Sequence, residues 1–235
     1  MEIMELPKVK VKASRKSPKN MVIYGPPKIG KTTVLSHLDN CLIIDLEDGS
    51  DMVDALKVKA NSLSDLQKIG SEIMKQGRPY KYVAIDTISK LEEWCEEYAK
   101  AIYKKTPMGK NFDSKNEGMS VLSLPNGAGY LYLRMAYKEW IDKLNKLADH
   151  IILVGHLKDK MLEKKGKEVA VKDLDLTGKI KQITCANADA VGYIYREEDK
   201  TMISFNSLED VTAGSRCAHL KGATMPLTWD KIFID

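Results

Sequence analysis

One octapeptide, Gly25-Pro26-Pro27-Lys28-Ile29-Gly30-Lys31-Thr32, restricts what this chain can fold into more than any other feature of its sequence. It fits the pattern GxxxxGK[ST], and it stands between the apolar run MVIY at 21–24 and helix-compatible residues at 31–38. A strand feeding such a turn and a helix leaving it gather unpaired backbone N–H groups and the positive end of a helix dipole around one point. The glycines let the backbone curl there, Lys31 adds a point charge, and Thr32, followed by Thr33, adds a hydroxyl. That combination cradles phosphates. With glycine near 7% of average usage, an accidental match in a chain of this length is on the order of one in a hundred, before the flanking context is counted. A glycine-rich turn without a ligand is the alternative, and that context argues against it. The Lys28 ammonium has two possible destinations, a phosphate or water, and we read it as facing water.

The rest of the chain supplies a sheet for such a loop. CLIIDLEDG at 41–49, YVAID at 82–86 and HIILVGH at 150–156 are continuous apolar runs, the mark of strands buried on both faces. Between them the apolar spacing predicts helices over 62–76, with Ser64 as N-cap and Gly77 as the stop, over 89–104 and over 130–147. The aromatic stripe of the last helix reads as core. AVGYIYR and TMISF, separated by EEDK, read as a C-terminal β-hairpin. Strands alternating with helices imply an α/β fold with a mostly parallel, doubly wound sheet, whose ligands gather at the carboxyl ends of the strands.

Composition bounds the setting. A chain of 235 residues with 43% apolar and 30% charged residues is ordinary for one globular core. No apolar run reaches transmembrane length and the first residues lack a signal-peptide core, so a cytoplasmic location and no membrane partner are expected. Cys41, Cys95, Cys185 and Cys217 form no CxxC pair and read as buried thiols rather than a zinc site or a disulfide framework. The net charge of +4 does not by itself point to nucleic acid, but the basic residues cluster at 8–19 and 158–167.

A phosphate loop needs a carboxylate near its Mg²⁺, and Asp86, at the end of YVAID, has the setting of a Walker B aspartate beside the metal-binding hydroxyl of Thr32. An ordinary strand-end aspartate is the plainer alternative. Thr87 follows Asp86 where many ATPases place a catalytic glutamate, so the base must come from another element. Glu47, just beyond the second buried strand, is the best candidate, with Asp45 and Asp48 as competitors.

Taken together, YGPPKIGKTT, CLIIDLEDG, YVAIDT and IILVGH resemble the RecA-type recombinase ATPases. GYLYLR ahead of IILVGHLKDK, and AGSRCAHL near the end, narrow the resemblance to phage-encoded, AAA/RecA-related P-loop ATPases of the single-strand annealing or recombinase type. The resemblance implies a basic N-terminal arm over 1–20 and a single RecA-like ATPase domain over 21–235, using ATP and Mg²⁺. It also implies a polar sensor at His156, where such proteins usually carry glutamine, so histidine is a departure. His37, His150 and His219 read as structural. Single-stranded DNA would lie on the polar stretch 106–129 and on the basic segment 158–167, although a charge run is often only a solvated hairpin. The arm at 8–19 would bind phosphates, pair with a neighbouring subunit, or be a solvated edge strand.

The sequence thus leads to an ATP-hydrolysing, single-stranded-DNA-binding protein of recombination, annealing or replication, assembled as a ring or filament, in a host cytoplasm if phage-encoded. A ring or filament offers a cation in trans to the γ-phosphate. Arg216 is preferred over Arg196 and Lys221 for that role because a guanidinium holds two phosphate oxygens at once. A small-molecule kinase and a nucleotide-gated assembly or packaging factor are the rival readings.

Overall fold

The computed structural model describes residues 6–111, 120–124, 127–164, 167–208 and 211–234. Its strands are β1 (Asn20–Gly25), β2 (Cys41–Asp45), β3 (Lys57–Lys59), β4 (Tyr82–Asp86), β5 (His150–Lys164), β6 (Lys167–Leu174), β7 (Ala190–Glu197), β8 (Lys200–Ser204), β9 (Gly214–Ser215) and β10 (Thr224–Pro226). The α-helices are α1 (Lys31–Ser36), α2 (Leu63–Lys75), α3 (Ile88–Lys104), α4 (Ala128–Leu144), α5 (Gly178–Asn187) and α6 (Trp229–Ile232).

The sheet runs β10-β8-β7-β1-β5-β4-β2-β3. From β7 to β3 every neighbour is parallel, while β7, β8 and β10 pair antiparallel, so the fold is α/β with a mixed, mostly parallel sheet. Alternate residues of the central strands feed two cores. Val22, Tyr24, Val83, Ile85, Ile151 and Leu153 pack against α2, α3, α4 and α5 on one face. Met21, Ile23, Tyr82, Ala84, Ile152 and Val154 pack against α1, α6 and the C-terminal segment on the other. Coverage of both faces is why these strands read as unbroken apolar runs, and each fully buried Ile or Leu contributes roughly 1.5–3 kcal/mol. The stripe of α4 (Leu133, Tyr137, Trp140, Leu144) lies in the first core, as expected. Trp229 Nε1 donates to the Val34 carbonyl at 2.6 Å and fastens the C-terminal segment to the helix that leaves the phosphate loop.

Register sets the functional edge. Gly25 of β1 pairs with His156 of β5, Asp86 of β4 lies beside Val154 of β5, and Asp45 of β2 lies beside Asp86. The strand β5 therefore stands between the phosphate loop and Asp86.

The structure differs from the sequence reading at several places. Instead of stopping at His156, β5 runs on to Lys164 and returns as β6, an antiparallel hairpin made by the basic segment. Beyond the sheet its pairing partner is β6 alone, so the polarity of its residues there no longer signals burial. Within that segment residues 165–166 lie outside the described residues, as do the side chains at 160–170, Lys164 and Lys167 among them. In the polar stretch 106–129, residues 112–119 and 125–126 lie outside as well. The helix α5 and the short strands β3, β9 and β10 carry too little periodic signal to be read from sequence.

The cap of α2 also moves. Its N-cap is Ser62, not Ser64: the Ser62 hydroxyl accepts from Asp65 N–H at 3.2 Å, and Asp65 accepts from the Asn61 N–H at 3.3 Å. The sequence S-x-x-D thus satisfies the N–H groups of Asp65 and Asn61, and Ser64 is left exposed in the first turn. Ser62→Ala should cost about 1 kcal/mol in urea unfolding, whereas Ser64→Ala should change stability by less than about 0.5 kcal/mol. The reverse order would return the cap to Ser64.

Candidate nucleotide site

At the carboxyl edge of the parallel strands lies a cavity of about 410 Å³, lined by the loop residues Pro27, Lys28, Gly30, Lys31, Thr32 and Thr33 together with Asp45, Glu47, Asp86, Thr87 and His156. Two glycines make the loop possible for different reasons. A Cβ on Gly25 would lie 2.4 Å from the Ile194 carbonyl oxygen of β7, so only glycine lets β1 pass there. Gly30 adopts φ 94°, a left-handed conformation, just where α1 begins. Lys28 is exposed at the cavity wall, and Ile29 packs back onto the second core.

Lys31 is 7% exposed, and its ammonium donates to the carbonyls of Gly25 at 3.1 Å and Pro26 at 2.9 Å. Burial lowers its pKa from the ordinary lysine value, opposed by the charges of Asp86 and Glu47. The Thr32 hydroxyl donates to Asp86 Oδ2 at 2.7 Å, across the width of β5. Asp86 is also 7% exposed; burial raises its pKa, and the Thr32 hydrogen bond partly offsets this.

The three acidic residues Asp45, Glu47 and Asp48 at the end of β2 separate cleanly. Asp45 accepts backbone N–H bonds from Glu47 (2.9 Å), Gly49 (3.3 Å) and Ser50 (2.8 Å), so its carboxylate is spent on shaping the turn. Burial pushes its pKa up, but these bonds outweigh burial and leave it below the usual carboxylate value. Asp48 pairs with Lys59 at 3.1 Å and is 63% exposed. Glu47 alone turns inward: its Oε1 accepts from the Thr87 hydroxyl at 2.7 Å, and Nε2 of His156 lies 3.0 Å from Oε2 and 3.2 Å from Oε1. The peptide between Asp86 and Thr87 is cis.

Sequence reasoning missed Thr87 as a contributor, noting it only for not being a glutamate; a hydroxyl next to a strand-end aspartate was the available signal. Met52 and Val53 also line the cavity and carried none. Arg216 is not brought to this cavity. It lies at the opposite, amino edge beside the start of β7, where its guanidinium donates to the Ala186 carbonyl and lies 3.9 Å from Asp189. His150 and His219 have structural bonds, to the carbonyls of Pro18 at 2.7 Å and Ile232 at 3.0 Å. Cys41, Cys95 and Cys217 are buried and Cys185 partly so, all as free thiols.

A family model described as AAA domain matches residues 17–217, from the start of β1 to beyond β9. The chain belongs to the AAA-domain family. Nucleotide-binding P-loop domains are the substance of that family, and the match spans the loop, the carboxylates and His156. No curated protein matches the chain. A crystal structure of the RadB recombinase is similar at 12% identity and a TM-score of 0.42, covering 88% of this chain and 86% of that one, a likeness too loose to support any conclusion. Among the described residues no helix is long and apolar enough to cross a membrane.

For an AAA domain the donor set matters. Thr32 and Asp86 offer one hydroxyl and one carboxylate, all oxygen, and among the described residues no cluster of three or more His, Cys, Asp and Glu gathers to hold a metal unaided. A hydroxyl and one carboxylate fit Mg²⁺, which keeps waters and substrate oxygens and takes only one or two protein carboxylates.

The Glu47–His156 pair has a defined pH window. The hydrogen bond to Glu47 raises the pKa of His156, and the same bond lowers that of Glu47. Their mutual stabilisation is lost as pH falls through the depressed glutamate pKa and as it rises through the elevated histidine pKa. With side chains 34% and 32% exposed, the pair contributes under about 1 kcal/mol. In an NMR titration the His156 ring should titrate above the ordinary value of about 6.5, and Glu47→Gln should bring it back down. A wild-type midpoint at or below the ordinary value would remove the pair.

Proposed function

We propose that this AAA-domain protein is a RecA-like ATPase that hydrolyses Mg-ATP and binds single-stranded DNA, acting in recombination, annealing or replication of phage type. The observation that carries the ATPase reading is the meeting of four strand ends in one cavity. Lys31 and Thr32 stand on one side, Asp86 lies 2.7 Å from Thr32, and Glu47 is held by Thr87 and His156.

In this reading the loop from Gly25 to Thr33 wraps the phosphates, the backbone N–H groups after Pro26 and Pro27 donate to them, and Lys31 exchanges its two carbonyl acceptors for phosphate oxygens. Thr32 and Asp86 would hold Mg²⁺, which when bound offsets charge on the phosphate oxygens. Glu47 accepts a hydrogen bond from the attacking water. As the water oxygen bonds to the γ-phosphorus and the bond to the ADP oxygen breaks, the water proton passes to Glu47. Thr87 and His156 fix the direction of the carboxylate. The hydrogen bond from His156 lowers the pKa of Glu47 and keeps it ionised.

The DNA reading rests on continuity: β5 carries His156 at the cavity and runs on without a break into the basic hairpin with β6. In this reading residues 21–235 act as one ATPase domain, the basic arm precedes it, and the subunits assemble as a ring or filament.

Lys31→Ala should abolish ATP binding in a folded protein, whereas Glu47→Gln should keep Mg-ATP binding and lose roughly 10²–10⁴-fold in turnover. Asp45→Asn with the second phenotype, and Glu47→Gln without it, would transfer the role to Asp45. Wild-type turnover should rise with single-stranded DNA, and more so at low salt. Turnover indifferent to DNA would leave an ATPase of another kind.

A trans-acting cation completes the proposal. Arg216 sits on the edge facing away from its own cavity, so in this proposal it acts only on the cavity of a neighbouring subunit. Mixing inactive Glu47→Gln with inactive Arg216→Ala subunits should restore part of the activity. No recovery at any ratio, despite co-assembly, would exclude Arg216.

A further inference from the structure

At the amino edge of the sheet, across from the nucleotide cavity, a groove of about 680 Å³ lies between residues 13–17 of the arm and residues 216–219 after β9. Three cations, Arg15, Lys16 and Arg216, line it against one carboxylate, Asp189. That carboxylate is already engaged: its Oδ2 accepts from the Lys19 N–H at 2.8 Å and from Arg15 at 3.3 Å, and Arg216 lies 3.9 Å from its Oδ1. The groove therefore keeps an excess of positive charge. Its walls are tied together, because the Ser17 hydroxyl donates to the Ile234 carbonyl at 2.5 Å and His219 Nε2 meets the Ile232 carbonyl at 3.0 Å.

The opposite sign stands at the other end of the same strand. β7 starts beside Asp189 and ends at Glu197, where the two-residue turn Glu198-Asp199 leads into β8. Glu197, Glu198 and Asp199 are all exposed, and none of the three is salt-bridged among the described residues. Arg196 and Lys200 flank this run on the two strands, so the tip itself is acidic. By contrast, Asp48 and Asp51 share Lys59, Glu93 pairs with Lys90, and Glu97 with Lys100. The 8 residues of β7, at about 3.3 Å each, keep groove and turn roughly 25 Å apart, so they cannot meet within one copy.

We infer that the acidic turn of one copy docks in the basic groove of the next, so that copies of this chain associate head to tail along the direction of β7. Glu198 and Asp199, on a convex hairpin tip, meet Arg15 and Lys16 in the concave groove. Such a contact joins different surfaces on the two copies, so it repeats, and it closes into a ring or runs on as a filament. The inference rests on the assembly proposed above and deepens it by naming the surfaces that meet. It also turns the edge that carries Arg216 toward the carboxyl edge of the next copy, where the nucleotide cavity lies. Complementary charge sets the orientation of such a contact, and like charges placed opposite each other are costly enough to break it.

The experiment is sedimentation velocity on the full chain at low salt, with charge exchanged between the two surfaces. One variant carries Arg15→Glu and Lys16→Glu, the other Glu198→Lys and Asp199→Lys, all exposed positions whose replacement should leave the fold intact. Wild type should associate, and more weakly as salt rises. Each variant alone opposes like charges and should associate at least about tenfold more weakly than wild type. In an equimolar mixture every groove again meets a turn of opposite sign, and wild-type association should return. Arg15→Gln with Lys16→Gln, which puts no new acid beside Asp189, should weaken association in the same direction. Wild-type association of either charge-reversed variant alone, or no recovery from a mixture of folded variants, would overturn the contact and leave the ring or filament to other surfaces. Single-stranded DNA binding lost in the first variant, with association unchanged, would give the groove to nucleic acid instead. A wild type that stays monomeric, with or without Mg-ATP and single-stranded DNA, would overturn the assembly itself.

Discussion

The parallel register of β1, β5, β4 and β2 is the constraint on which the rest of the site depends. Each strand carries one polar group to the same edge: Gly25 and the loop after it, His156, Asp86, and the turn that Asp45 shapes for Glu47. Because the side-chain period of a strand is two, a slip of one residue in any pairing would turn a functional group into one of the two cores and an isoleucine or valine into the cavity. The apolar residues of these strands therefore do more than stabilise. Met21, Ile23, Ile152 and Val154 on one face, and Val22, Tyr24, Ile151 and Leu153 on the other, lock the register that aligns the edge.

Polar spacing at that edge follows from the insertion of β5. With β5 between β1 and β4, Thr32 still reaches Asp86 at 2.7 Å, and the strand end in between delivers His156 to Glu47. The result is a division of labour among carboxylates by environment. Asp86 is buried and bonded to Thr32, Asp45 is consumed by three backbone N–H groups, Asp48 pairs with Lys59 at the surface, and Glu47 is held by Thr87 and His156 at the cavity.

Much of this was legible in the sequence because its signals are local. The loop GPPKIGKT, the strands MVIY, CLIID and YVAID, and the place of Glu47 just beyond the second strand each rest on a few adjacent residues and their order. What was not legible is set by pairing at a distance. The continuation of β5 past His156 depends on β6, and α5 has no strong apolar stripe. The position of Arg216 depends on β9 pairing with the start of β7, which no local pattern announces. Ser62 was passed over for Ser64 because both precede a helical pattern, and only the Asp65 bond distinguishes them.

The strand β5 belongs to two structures at once. Up to His156 it is clamped between β1 and β4, and from Leu157 onward its partner is β6. The first half is bonded to a strand on each side, and the second half leaves it at the residue bonded to Glu47, with β6 as its ladder partner. The hairpin is therefore continuous with the residue that meets the Glu47 carboxylate. Were a ligand on the hairpin to shift His156, thermodynamic reciprocity would require a change at the Glu47 carboxylate to alter the affinity for that ligand by the same factor.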